Sequence, residues 1–174
     1  ALFNVIDDLL CKGYSLDGKD ISYLRKDLAF LDAVIEPESE VQLFRKYAIQ
    51  CVSQSNTIGS RKWRRNVLAA FLSGTYANAL PDVQTCRTFH NILIEARLPF
   101  GKMICPVCGR DHKSSLLSSR EAKLGWEADE TCFQLSNAVF VHRSCLINAG
   151  ARFQFVTAEY DTGDLGDDEF RTEE

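Results

Sequence analysis

The chain of 174 residues holds no apolar run near the roughly 20 residues that a membrane-spanning helix needs, and no basic-then-apolar segment of the kind that directs secretion. No Asn-x-Ser/Thr acceptor occurs, and the seven cysteines are an odd number, so nothing points to a glycosylated, disulfide-framed extracellular domain. A reducing, intracellular compartment is expected, cytoplasmic or nuclear. The sequence also lacks a P-loop, a Gly-x-Gly-x-x-Gly turn and a His-Glu-x-x-His helix, which leaves nucleotide hydrolysis and metalloprotease chemistry without support. What it does have is 45% hydrophobic residues, enough for a core in one domain or one domain with an appendage.

The net charge of −4 hides a segregation. Residues 1–40 carry 4 Lys/Arg against 9 Asp/Glu, residues 41–126 carry 13 against 4, and residues 127–174 carry 3 against 11. The middle is therefore basic and both ends acidic. A basic stripe on one face is what phosphate binding requires, whatever the charge of the remainder. The competing reading is that acidic and basic segments neutralise one another in the fold.

Residues 2–98 read as a helical region. Leu2, Val5, Ile6, Leu9 and Leu10 form a short apolar stripe before Gly13. A second helix is expected from about Asp17 to Val34, ended by Glu36-Pro37, and a third carries Val41, Phe44, Ala48 and Cys51. A fourth begins at Ser60, taken as its N-cap, and crowds Arg61, Lys62, Arg64 and Arg65 into its first turns. The helix dipole disfavours cations there, unless an anion docks on the same turn. Trp63 shares a face with Val67, Ala70 and Phe71, which marks it as a core anchor more than a base-stacking platform. Pro81-Asp82 opens a fifth helix, on whose apolar face Cys86 and His90 are expected to pack. Cys11 and Cys51 are read as buried, since a free cysteine behaves as a small hydrophobe.

Beyond Leu98-Pro99 the pattern changes. Cys105-Pro106-Val107-Cys108-Gly109 and His142-Arg143-Ser144-Cys145 are two half-sites with the residue types and spacing of one tetrahedral zinc ion. One structural Zn2+ is expected on Cys105, Cys108, His142 and Cys145, with His112 and Cys132 as alternative ligands or as partners of the ligands. Ser118 and Glu121 stand at capping-box spacing, suggesting one short helix stopped by Gly125. Phe133, Leu135, Val139 and Val141 alternate around Ser136-Asn137 as a tight hairpin would, and Phe153–Val156 reads as a last strand. Knuckle, hairpin and then a helix supplying the last two ligands resembles the treble-clef zinc finger over residues 102–150. That fold group hosts nucleic-acid binders, protein adaptors and nucleases, so it does not select a function.

The expected fold class is α+β, mainly α: a helical bundle (1–98), a zinc-stabilised knuckle, hairpin and helix module packed on it (99–158), and an acidic, disordered tail (159–174). No enzyme is expected. A zinc deaminase requires His-x-Glu with Pro-Cys-x-x-Cys, but no histidine here is followed two residues later by glutamate, and Ile104 occupies the proline position. An HNH-type nuclease would use Asp111-His112, which lies too close to Cys108. The favoured reading is binding of RNA or other single-stranded nucleic acid through Arg61, Lys62, Arg64, Arg65, Lys102, Arg110 and Lys113. The alternative is a protein-interaction adaptor or antagonist with a purely structural zinc, a build similar to that of viral accessory proteins.

Overall fold

The computed structural model describes residues 2–53, 57–77, 79–112 and 118–162. Five helices come first: α1 (Leu2–Cys11), α2 (Ser22–Val34), α3 (Gln42–Ser53), α4 (Ile58–Tyr76) and α5 (Val83–Glu95). A loop and knuckle then lead to β1 (Ala122–Glu127) and β2 (Val139–His142), a 3-10 turn (Arg143–Cys145), the short α6 (Leu146–Ala149), and β3 (Phe153–Phe155). The class is α+β, mainly α, as expected. The sheet is antiparallel in the order β2-β1-β3, with Leu124 opposite Phe140 and Trp126 opposite Gln154.

Local chemistry explains the helix boundaries. Asp82 caps α5, its carboxylate accepting the Thr85 amide at 2.7 Å. Thr57, not Ser60, caps α4, because its hydroxyl accepts the Ser60 amide and the helix already begins at Ile58. Helix α2 starts later than expected, at Ser22. Gly18 holds a positive φ of 72°, and the Asp20 carboxylate takes the Ser22 amide at 2.8 Å, so the chain is in turns until that point.

Two expectations about the second half are corrected. Half of the capping box at Ser118 and Glu121 forms, with the Glu121 carboxylate accepting the Ser118 amide at 3.1 Å while the Glu121 amide goes to the Ser118 carbonyl, and it closes a single turn that runs straight into β1. Gly125 is no helix stop. It lies in β1 beneath the Phe155 ring, and a Cβ there would sit 2.6 Å from ring carbons. The hairpin around Ser136-Asn137 is replaced by a buried turn, in which the Asn137 side chain accepts the Gln134 amide, while β2 pairs with β1.

Bundle and sheet share one core. Phe44, Phe71, Phe89 and Trp63 of the helices and Leu124, Trp126 and Phe140 of the sheet belong to the same buried cluster. The C-terminal end of α4 meets the 132–138 turn so closely that Phe133 donates its amide to the Gly74 carbonyl at 3.2 Å. Asp27 of α2 reaches the same turn. Fully buried, it accepts the Leu135 and Ser136 amides at 2.8 Å each, while Lys102 donates to the Ser136 carbonyl at 2.7 Å. Burial pushes the Asp27 carboxyl up to about 6 against those hydrogen bonds, and burial brings Lys102 down to about 8 against the Asp27 charge.

Cys86 and His90 pack as expected, the former fully buried with its thiol pushed up to about 12 by burial. Cys11 and Cys51 do not: both are exposed, near the C-terminal ends of α1 and α3 beyond the last buried residues, Leu9 and Ala48. Glu159–Thr162, read as the start of a disordered tail, are held in place. Glu159 accepts from Arg143 and Lys123, Tyr160 meets His90 at 3.0 Å, and the Thr162 amide donates to Ser119. The rest of the tail, 163–174, lies outside the described residues. No helix among the described residues is long and apolar enough to cross a membrane.

Candidate metal centre

Cys105 sits at the mouth of a tight knuckle. Its amide donates to the Arg110 carbonyl at 3.0 Å, the Gly109 amide returns to the Cys105 carbonyl at 2.9 Å, and Ile104 and Asp111 bridge the two limbs. The turn needs the positive φ of 70° at Gly109, which a residue with a side chain adopts only at a cost. The second half-site lies where β2 ends: His142 is its last residue, and the 3-10 turn that follows brings Cys145 round to the same side. Arg143 anchors that turn, its Nε donating to the Ser119 carbonyl at 2.8 Å and its Nη2 to Glu159 at 2.5 Å. The hydrogen bond from Arg143, helped by Lys123, holds the Glu159 carboxyl down at about 2.

The donor atoms of Cys105, Cys108, His142 and Cys145 all lie within 4.8 Å of one another, and among the described residues this is the group of His, Cys, Asp and Glu that could hold a metal ion. The Cys108 Sγ to His142 Nδ1 distance is 3.4 Å. Zinc with Zn–S near 2.3 Å and Zn–N near 2.05 Å in tetrahedral geometry gives a sulfur-to-nitrogen edge of about 3.6 Å. The three sulfurs and one imidazole therefore fit a single closed, four-ligand site, compatible with one zinc ion.

The surroundings suit such a site. Cys105 is fully buried, yet amide hydrogen bonds from His142, Cys108 and Val107 outweigh the effect of burial and hold its thiol below the ordinary value. A second small core of Val141, Ala149 and Phe153 encloses Cys105 and Cys145. The alternative ligands stand apart. Cys132 is buried elsewhere, its thiol pushed up to about 11 by burial, and His112 is buried beside the cluster without joining it.

The seven expected phosphate-contact residues do not form one platform. Arg61 and Lys62 are exposed on the first turns of α4, and with Asn4, Ile58, Arg64 and Arg65 they line a recess of about 350 Å³. Arg64 is buried and donates to the Gln50 carbonyl at 3.0 Å, which makes it a tie between α3 and α4. Arg65 pairs with Asp8 of α1. Lys102 is buried under Ser136, Arg110 is exposed on the knuckle, and Lys113 lies outside the described residues. Since Gly74 marks the end of α4 against the 132–138 turn, Arg61 lies about 20 Å away along the helix at 1.5 Å per residue. Trp63 is 6% exposed against Tyr47, a core residue as expected.

Sequence reasoning missed Asp27, although it sits midway along the stripe of Leu24, Leu28 and Leu31, where an acid on an apolar face signals a buried acceptor. The chain matches no protein-family model, no curated protein and no solved structure.

Proposed function

We propose that this is a non-enzymatic protein in which one structural zinc ion, held by Cys105, Cys108, His142 and Cys145, staples a treble-clef-like module to a helical bundle. The observation that carries it is the convergence of three sulfurs and one imidazole nitrogen within 4.8 Å of one another. All four positions are protein ligands, which is the signature of a structural site, whereas a catalytic zinc keeps a position open. The nuclease alternative loses support because His112, half of the Asp111-His112 pair that would hold its catalytic metal, is 2% exposed with Nε2 donating to the Phe140 carbonyl.

The module-and-bundle unit binds single-stranded nucleic acid, RNA above all, through the recess at the start of α4. The surface is smaller than the sequence suggested. Arg61 and Lys62 line it with Arg65, whose charge is shared with Asp8. Three phosphate contacts on a single strand give a slope of log affinity against log salt of about −2. The test is binding of an unstructured RNA across a salt series, by wild type and by the Arg61→Glu, Lys62→Glu double variant. Wild-type affinity should fall steeply with salt, and the charge reversal should weaken it at least about tenfold, the loss of two phosphate contacts. Salt-independent binding, or binding that survives the reversal, would refute it.

One observation favours a protein partner instead. Phe3, Val52 and Ile58 are 85%, 81% and 68% exposed on the helices that bear or border the recess. Absence of RNA binding at low salt would make that the working reading.

A further inference from the structure

The two half-sites are joined by more than the ion. We infer that His112 is a positioning residue of the metal centre, fastening the knuckle that carries Cys105 and Cys108 to the strand end that carries His142 and Cys145; this rests on the zinc reading above. His112 belongs to the knuckle's returning limb. Its amide donates to the Met103 carbonyl at 2.5 Å, directly after the bridge between Asp111 and Ile104. Its side chain belongs to the other half-site. Nε2 donates to the Phe140 carbonyl at 3.0 Å, two residues before His142 in the edge strand β2. The ring also meets that of His142, centroids 4.4 Å apart at 60°, and that of Phe140 at 6.0 Å and 71°.

A single buried ring thus touches the backbone leading to His142 and the imidazole that supplies the ligand nitrogen. Ligand histidines are commonly held in orientation by neighbours of this kind. Packing alone does not account for a histidine here. Its Nδ1 is buried without a hydrogen-bond partner, a cost that phenylalanine of similar volume would avoid. What the phenyl ring would lose is the Nε2–H bond to the Phe140 carbonyl. The histidine is therefore suited to fixing β2 and the knuckle at one separation before the ion arrives, so that less ordering remains to be done on binding.

The test uses the full chain and two metals. Zinc affinity is measured by competition with a chromophoric chelator, and site geometry by the visible spectrum of the Co2+-substituted protein. His112→Phe should bind one ion with affinity about 10–100-fold weaker than wild type and with an altered cobalt d–d envelope. His112→Gln, which keeps an N–H donor, should recover part of the loss. His112→Phe affinity within twofold of wild type with an unchanged cobalt spectrum would overturn the inference. So would a Gln variant as weak as the Phe variant, which would show that the donor is not what matters. The zinc reading fails separately, if wild type takes up neither metal or if Cys145→Ser binds as well as wild type.

Discussion

Replacing Asp27 probes how the helical bundle holds the half of the chain that carries the candidate metal site. Its carboxylate takes two buried amides, those of Leu135 and Ser136, in a turn that leads directly into β2 and the second half-site. Asp27→Ala leaves both donors without an acceptor, and each unsatisfied buried donor costs about 1–3 kcal/mol, for a loss of about 2–6 kcal/mol. Against a domain stability of about 5–15 kcal/mol that loss is large. Asp27→Asn keeps one acceptor oxygen and should lose about half as much. The assay is urea unfolding of the zinc-loaded chain at pH 7. A loss below about 1 kcal/mol for Asp27→Ala would refute the reasoning, because it would mean that water or a relaxed turn satisfies the amides. The pH dependence has a definite sign. With its folded value raised to about 6, Asp27 contributes stability that is present below its unfolded value of 3.8 and is lost as pH rises through about 6. The advantage of wild type over Asp27→Asn should therefore grow by about 1 kcal/mol between pH 7 and pH 5. A difference that shrinks on acidification would contradict the direction of the shift.

Two further outcomes test the packing. A Cβ at Gly74 would fall 1.8 Å from the Phe133 carbonyl oxygen, so Gly74→Ala must push α4 away from the 132–138 turn; a loss of about 1–3 kcal/mol in denaturant unfolding is expected, and a neutral result would place that contact elsewhere. Trp63→Ala should cost about 3–5 kcal/mol of stability as a core truncation; a variant of unchanged stability that loses RNA binding would make Trp63 a stacking residue instead.

The metal centre was legible because its geometry is local. Two cysteines three residues apart, followed at once by Gly109, and a histidine and cysteine three residues apart on a turn, place donors on one side of the backbone whatever the rest of the fold does. Helices α1, α3 and α5 were legible from the same kind of short-range signal. The sheet was not. β1 is the central strand, buried on both faces for five of its six residues, so it lacks the alternation that marks a half-exposed strand, and a capping-box pair just before it suggested a helix. The basic cluster was legible as composition, but its uses were not. Arg64 points to Gln50 and Lys102 to Ser136 because of where α3 and the 132–138 turn come to lie, and such long-range placements leave no trace in local spacing.

The most direct test of the zinc staple is native mass spectrometry of the full chain, prepared with zinc, alongside Cys105→Ser and Cys145→Ser. One zinc ion per wild-type chain, lost in both variants and removed by a chelator together with the near-ultraviolet signal of buried Trp126, is the expected result. A wild-type chain that carries no metal and keeps that signal in the chelator would contradict it.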